Sequence, residues 1–282
     1  MAQFGGIIGL ASWLKTPPGR YLLAWEQAQL DRSVADIFGF HALQLGLPEL
    51  DALRANRMPH RWLAVDSQPA AEVPAVVPAP RAIVLHCDFD ALPFDSQSLD
   101  LIVLPHSLEL TRDPHLALRE VERVLVPEGR VVILGFNPGS LWALRQRLGR
   151  MCRGLGLHRT KPLFMPREGD FIGYWRMRDW LRLLSFEVEV GRFGCYRPPL
   201  SSEPWLARFG WLERTGDRWW PVLGAVYFLV AVKRVRGMRL VGLVRQRRRA
   251  NAVPAAVSTH RHLAAGTHEA QDDKQRSTAP FT

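Results

Sequence analysis

Three short apolar runs organise the pattern of hydrophobic and polar positions along the chain, at residues 82–86, 99–104 and 130–136. Each run is nearly continuous and rich in β-branched residues, which is typical of strands buried on both faces of a parallel sheet. Residues 113–126 lie between the second and third runs, and their apolar residues recur at close to helical spacing. The pattern therefore predicts a strand, a strand, a helix and a strand in that order, and right-handed crossovers make the strands parallel.

The residues that flank this helix indicate where it begins and ends. Asp113 is suited to the N-cap position and Pro114 to the first helical turn. The sequence Pro127-Glu128-Gly129 ends the helix before the next strand. The central part of the chain is therefore predicted to be an α/β unit whose helix has recognisable start and stop signals.

Further elements are predicted on both sides of this unit. Residues 21–36 are predicted to form an amphipathic helix. A role in packing against the domain is favoured over a role in covering a ligand. Residues 68–80 are rich in Pro and Ala and are expected to form a flexible loop. The remaining predicted strands are 41–47, 61–65, 186–191 and 224–234, and further helices are expected at 50–56 and from residue 174.

Composition narrows the class of protein. A chain of 282 residues with 47% hydrophobic residues can bury one substantial core. Its three cysteines lie far apart without a metal-ligand pattern, which favours a reducing compartment over a disulfide framework or a zinc site. No signal peptide is recognised, and the apolar run 221–232 is too short to cross a bilayer, so we expect a cytoplasmic protein with no transmembrane segment.

The positive charge is concentrated in the second half of the chain. The formal net charge is +10, and residues 141–161 contain six Lys/Arg and no acidic residue. Residues 233–249 contain eight Lys/Arg and again no acid. Nucleic acid could bind these segments, but no motif of a dedicated reader supports that interpretation. We expect a helical lead at 1–36, one domain at 37–235 with a basic insertion or lid at 141–175, and a basic, disordered tail at 236–282.

One stretch carries a family resemblance. Asp88-Phe89-Asp90-Ala91-Leu92-Pro93-Phe94 is followed by Ser98-Leu99-Asp100, by Arg119-Glu120-Val121-Glu122-Arg123-Val124-Leu125 and by Pro127-Glu128-Gly129-Arg130. In order and spacing these pieces resemble the class I S-adenosylmethionine-dependent methyltransferases, with a type 11-like methyltransferase domain. The resemblance implies a Rossmann-like α/β fold with helices on both faces of a seven-stranded, mostly parallel sheet. Residues 224–234 resemble the last strand of that fold, which is antiparallel.

The resemblance also implies a cofactor loop after the first strand. The family places there a strand that ends in an acidic residue, followed by G-x-G-x-G. Here Gln44 stands in place of the acid, and Gly46 is the only glycine of the loop that is retained. The side chains of Leu47 and Pro48 leave less space for a ligand to come close to the backbone than glycines would, and Pro48 has no backbone N–H to donate. This glycine motif is therefore degenerate, and the cofactor implied by the resemblance is S-adenosylmethionine.

Two acidic residues are candidates for contacts with the adenosine of that cofactor. Asp66 ends the second predicted strand, twenty residues after Gly46, where nucleotide-binding α/β folds place a ribose acceptor. The alternative is an aspartate that caps a loop. By resemblance, Asp88 accepts from the adenine amino group and the backbone N–H of Phe89 reaches a ring nitrogen.

The end of the fourth predicted strand supplies the remaining candidates. Leu104 and His106 lie at the carboxyl edge of the sheet, where α/β folds bind ligands. His106 is the candidate general base, because a neutral imidazole is suited to proton abstraction near pH 7. A structural role is the alternative for His106 and for Glu109. The sequence thus favours a methyltransferase that acts on a small-molecule acceptor. A basic lid would favour an acceptor with an anionic group. The alternative is a non-catalytic binding or regulatory protein on the same fold.

Overall fold

The computed structural model describes residues 6–66, 83–154, 164–166 and 171–234. Seven strands form one sheet in the spatial order β3-β2-β1-β4-β5-β7-β6. Strand β7 pairs antiparallel with both β5 and β6, and the other neighbouring pairs are parallel. The predicted fold class is confirmed, including the antiparallel direction of the last strand, which lies between β5 and β6. The strands are β1 His41–Leu45, β2 His60–Asp66, β3 Ile83–Cys87, β4 Leu99–Pro105, β5 Leu125–Phe136, β6 Phe186–Gly194 and β7 Val226–Lys233.

Helices cover both faces of the sheet. The helices are α1 Gly6–Leu14, α2 Pro17–Val34, α3 Ser107–Leu110, α4 Pro114–Val124, α5 Leu141–Gly154, α6 Tyr174–Leu183, α7 Glu203–Arg208 and α8 Leu212–Trp219, followed by a 3₁₀ turn at Pro221–Leu223. Helices α1, α2 and α5 pack on one face and α4 and α6 on the other. Alternate residues of each central strand point to opposite cores, as in Val132 and Ile133 of β5. This two-sided burial explains the continuous apolar runs in the sequence.

The predicted start of α4 is confirmed. The Asp113 carboxylate accepts from the backbone N–H groups of His115 (2.9 Å) and Leu116 (3.1 Å), and Pro114 occupies the first turn. Two N–H groups that have no partner within the helix are satisfied in this way. The local sequence therefore determines where this helix begins.

The predicted helix at 50–56 is wrong, because the structure has turns between β1 and β2. Side chains satisfy the backbone groups that a helix would otherwise pair. Asn56 donates to the carbonyl oxygens of Val34 (2.8 Å) and Ile37 (3.1 Å) and accepts from the N–H of Met58 (2.9 Å). Strand β1 also ends at Leu45, two residues earlier than predicted.

Three of the predicted segments lie wholly or partly outside the described residues. These are the loop at 68–80, most of the second half of the insertion at 141–175, and the tail at 236–282. The proposed division into a lead, a domain and a tail stays a prediction. In the described ranges no helix has the length and apolar character needed to cross a membrane.

Candidate active site

The carboxyl ends of neighbouring parallel strands meet at one edge of the sheet, and most of the predicted site residues lie there. Asp66 at the end of β2 pairs in register with Cys87 at the end of β3, and Asp88 follows Cys87 directly. Burial raises the pKa of the Cys87 thiol to about 11, and the charges of Asp88 and Asp66 add to the rise. The two carboxylates predicted to bind adenosine therefore occupy adjacent strand ends.

Gly46 is the point where three loops of this edge converge. Its φ of +71° is in the left-handed region that favours glycine. A Cβ atom added at Gly46 would lie 3.2 Å from Oγ of Ser107, which follows β4, and 3.6 Å from Cζ of Phe89, which follows β3. The Ser107 hydroxyl also donates to the carbonyl oxygen of Leu45. Gly46 is thus needed both for the turn after β1 and for the close approach of the neighbouring loops.

Gln44 has a different position from the one predicted for a cofactor ligand. Its amide nitrogen lies within hydrogen-bond distance of the carbonyl oxygens of Gly46 (3.1 Å), Leu47 (3.0 Å) and Leu50 (2.7 Å). Its amide oxygen accepts from the N–H of Ala52 (3.0 Å). The side chain is buried and binds the loop from within, so the structure assigns Gln44 to holding the loop rather than to contacting a ligand.

Two buried carboxylate oxygens in the loops after β1 and β3 have no hydrogen-bond partner in the described part of the chain. They are Oε2 of Glu49, three residues after Gly46, and Oδ1 of Asp90, two residues after Asp88. Burial raises the pKa of Asp90, and the charges of Asp113 and Asp88 add to the rise. A buried oxygen without a donor is costly unless a ligand or water satisfies it. Glu49 was not identified from the sequence as a candidate site residue. Its position, as an acidic residue in the loop after the first strand, is the signal that could have identified it.

His106 is fully buried between two carboxylates. Its Nε2 lies 2.8 Å from Oε1 of Glu26 in α2, and its Nδ1 lies 3.0 Å from Oε2 of Glu109 in α3. Oε1 of Glu109 accepts from the backbone N–H of Phe136 at the end of β5 (2.7 Å). Both ring nitrogens are therefore occupied, and the predicted role of His106 as a general base does not fit this arrangement. The sequence did not point to Glu26, which lies 80 residues from His106.

The three side chains form an ion cluster, which we call the Glu26–His106–Glu109 cluster. Burial opposes the charge on the imidazole, but the two carboxylates outweigh it and raise the pKa of His106 to about 10. Burial also raises the pKa of the Glu109 carboxyl, against the effect of its hydrogen bond to His106. The raised pKa of His106 favours an imidazolium that donates from each ring nitrogen, and the hydrogen bond to that imidazolium favours the carboxylate form of Glu109 against the effect of its burial.

This cluster predicts a pH dependence of stability. Below the ordinary imidazole pKa of about 6.5, His106 is protonated in both the folded and unfolded states, and its contribution is fully present. Above that pH the unfolded chain loses the proton first, so the contribution falls as pH rises through about 10. The expected slope is at most about 1.4 kcal/mol per pH unit. Denaturant unfolding between pH 6 and pH 10 measures it.

Nuclear magnetic resonance of ¹⁵N-histidine gives an independent check of this charge state. At pH 8 one of the nine histidines should still show two protonated ring nitrogens, and that signal should be absent from His106→Asn. A neutral His106 at pH 8 would contradict the prediction.

The remaining predicted residue, Leu104, is a core residue in β4. It is 1% exposed and belongs to the apolar cluster on the face covered by α4 and α6. A contact between its backbone and a ligand stays a prediction. Among the described residues, no group of three or more His, Cys, Asp or Glu side chains is arranged to hold a metal ion.

Sheet order and site position together define a Rossmann-like methyltransferase fold, and comparisons with known proteins agree. A family model described as a methyltransferase domain matches residues 49–133. Over 223 residues the chain is 31% identical to the uncharacterized protein YafS of Escherichia coli K12, covering 79% of this chain and 80% of YafS. The chain belongs to the class I S-adenosylmethionine-dependent methyltransferase family.

Two further similarities are more local or more distant. A stretch of 54 residues is 39% identical to the demethylmenaquinone methyltransferase of Chlamydia pneumoniae, covering 19% of this chain and 24% of that protein. The crystal structure of an S-adenosylmethionine-dependent methyltransferase from Thermotoga maritima superimposes with a TM-score of 0.50 at 16% identity, covering 76% of this chain and 90% of that one. The second similarity is one of fold.

Proposed function

We propose that this enzyme transfers the methyl group of S-adenosylmethionine to a small-molecule acceptor, with the cofactor held at the carboxyl edge of the sheet. The observation that carries the proposal is the placing of Asp66 and Asp88 on adjacent strand ends, beside the loop of Gly46. Asp66 would accept from the ribose hydroxyls and Asp88 from the adenine amino group. The backbone N–H of Phe89 would donate to the adenine ring.

The other end of the site suits the positive charges of the cofactor. Glu49 has a buried oxygen without a partner in the described residues, and an ammonium or a sulfonium group would compensate such a charge. Glu49 lies in the same loop as Gly46 and therefore supplies a carboxylate that Gln44 does not. We propose that Glu49 replaces the acid expected at position 44.

The chemistry of transfer asks little of the protein beyond alignment. When bound, S-adenosylmethionine supplies a methyl group that is already activated by the sulfonium. The chain's own contribution is to hold the ligands in line and to exclude water. Because both nitrogens of His106 are occupied, we assign it no proton transfer. We propose that the Glu26–His106–Glu109 cluster positions the ends of β4 and β5 instead.

The acceptor is proposed to be a small molecule that enters near residues 141–175. Support comes from α5, which begins directly after β5 at the edge that carries the site and whose four arginines suit an acceptor with an anionic group. The demethylmenaquinone methyltransferase to which the chain is locally similar is named for a small molecule. We also propose a cytoplasmic location, for which the three free cysteines are the support.

Calorimetry with S-adenosylmethionine and with its demethylated product, S-adenosylhomocysteine, tests the proposal. Asp66→Ala and Asp88→Ala should each weaken binding by about 1–3 kcal/mol, the range of a hydrogen bond to a charged group. That range is about 5- to 150-fold in Kd. Asp95→Ala is the matched control, because Asp95 is an exposed acid further along the loop that follows β3.

Three results of this experiment have distinct meanings. Wild-type protein that binds neither ligand at millimolar concentration contradicts the proposed function. Binding that is unchanged in both aspartate variants contradicts the assignment of the adenosine pocket. A melting temperature close to wild type in each variant shows that the loss is one of binding.

A further inference from the structure

Helix α5 has an apolar stripe that faces solvent. Leu141, Leu144, Leu148 and Met151 are spaced by three, four and three residues, which places them on one side of a helix. Their exposed fractions are 46%, 51%, 51% and 64%. Four large apolar side chains in a row on a surface helix are unusual unless something covers them.

The opposite side of α5 is anchored in the core, so this exposure is not that of a loosely attached helix. Trp142 is 1% exposed, and its indole N–H donates to the carbonyl oxygen of Arg197 (2.7 Å). Gln146, also 1% exposed, accepts from the N–H of Met165 (3.0 Å). With that side fixed, the stripe must point away from the protein.

Arginines border the stripe. Arg145 and Arg147 lie on either side of it at helical spacing, Arg150 is also exposed, and α5 contains no acidic residue. An apolar stripe between cations is the pattern of a helix that lies in the interface of a membrane with anionic lipids. A partner protein with an acidic rim would suit the same charges, and in that case the wild-type protein would not bind anionic vesicles.

Exposed tryptophans are grouped in the segment between β6 and β7. Trp205, Trp211, Trp219 and Trp220 are 53%, 60%, 68% and 55% exposed. Arg208, Arg214 and Arg218 are interspersed with them, together with the acids Glu203, Glu213 and Asp217. Tryptophan is enriched where proteins meet the headgroup region of a bilayer, because its ring is apolar and its N–H is polar.

The segment and α5 are neighbours. The guanidinium of Arg145 donates to the carbonyl oxygen of Pro199, and the side chain of Asn137 donates to that of Val222 (2.6 Å). Both elements also adjoin the carboxyl edge of the sheet, because the end of β5 at Phe136 pairs with the start of β7 at Val226. The segment that carries the tryptophans therefore adjoins α5 at this edge of the sheet.

We propose that α5 and the tryptophans between β6 and β7 form a surface that binds bilayers containing anionic phospholipids. The stripe and the indole rings would enter the headgroup region, while the arginines contact lipid phosphates. Membrane binding by this surface would give the site access to an acceptor dissolved in the bilayer. Only that consequence rests on the proposed function. Membrane binding itself does not require methyl transfer.

Co-sedimentation of the full chain with vesicles tests the surface. Wild-type protein should bind vesicles of phosphatidylcholine with 30% phosphatidylglycerol more tightly than pure phosphatidylcholine, and less tightly as salt rises. Leu144→Ser combined with Leu148→Ser should reduce the partition coefficient about tenfold by removing apolar area from the interface. Arg147→Gln combined with Arg150→Gln should reduce the preference for anionic vesicles.

Leu183→Ser is the matched control for the apolar variants. Leu183 ends α6 on the other face of the sheet and is 83% exposed, so its replacement should leave binding unchanged. The proposal is overturned if wild-type protein does not bind anionic vesicles, or if the α5 variants bind as wild type does. It is also overturned if sedimentation velocity shows a dimer that Leu144→Ser with Leu148→Ser dissociates, because the stripe would then bind a second copy. Affinity for S-adenosylhomocysteine should be the same in all these variants.

Discussion

His106→Ala is expected to lower the free energy of unfolding by about 3–5 kcal/mol, the range for breaking a buried ion pair. Removal of the imidazolium leaves two buried carboxylates near one another. Glu26 would lose its hydrogen bond to the ring, and its Oε2 already has no partner among the described residues. Glu109 would retain only the N–H of Phe136.

Denaturant unfolding at pH 7 measures this loss, and two variants define its origin. His106 has φ +56°, a left-handed conformation that asparagine tolerates better than alanine, so His106→Asn separates backbone strain from the loss of charge. Glu187→Gln is the surface control, because its pair with Arg234 is exposed and should contribute no more than about 1 kcal/mol. A His106→Asn protein as stable as wild type would show that the ion pair contributes nothing to folding.

Gln44→Leu is expected to lower the free energy of unfolding by about 2–4 kcal/mol and to weaken cofactor binding as well. The substitution keeps the size of the side chain but removes the amide group that lies within hydrogen-bond distance of three loop carbonyl oxygens and accepts from the N–H of Ala52. Buried backbone groups would be left without partners, and the loop that carries Gly46 would lose its internal support.

Unfolding and calorimetric titration with S-adenosylhomocysteine measure the two effects on the same protein. Gln97→Leu is the matched control, because Gln97 is exposed and its replacement should change stability by less than about 0.5 kcal/mol. If Gln44→Leu lowered stability without changing affinity, the loop after β1 would not take part in binding.

Together the two predictions assign structural tasks to residues that a motif comparison would place at the ligand. The Glu26–His106–Glu109 cluster joins helix α2 to the ends of β4 and β5, and Gln44 closes the loop after β1. Both lie directly behind the edge that carries Asp66 and Asp88. A substitution in the cluster or at Gln44 is therefore expected to weaken ligand binding by displacing the strand ends and the loop that form the site, and not by removing a direct contact with the ligand.

The sequence alone determined the strands, the main helices and the class of the fold. Burial on both faces leaves an apolar run that is visible without a structure, and the N-cap of α4 depends only on Asp113 and its next few neighbours. Asp66 was predicted to end the second strand and Asp88 to follow the third, and the structure adds that these strands are neighbours, with Asp66 paired to Cys87.

Only the tertiary structure decided what the buried polar residues do. No local pattern relates His106 to Glu26, since their contact depends on where α2 crosses the sheet. The sequence at 50–56 permits a helix, but the side chains of Gln44 and Asn56 form hydrogen bonds with backbone groups of this segment. Those backbone groups are therefore satisfied in turns, without a helix. The stripe on α5 was likewise indistinguishable from a core face, because periodicity shows that a helix has an apolar side and only packing determines which side is covered.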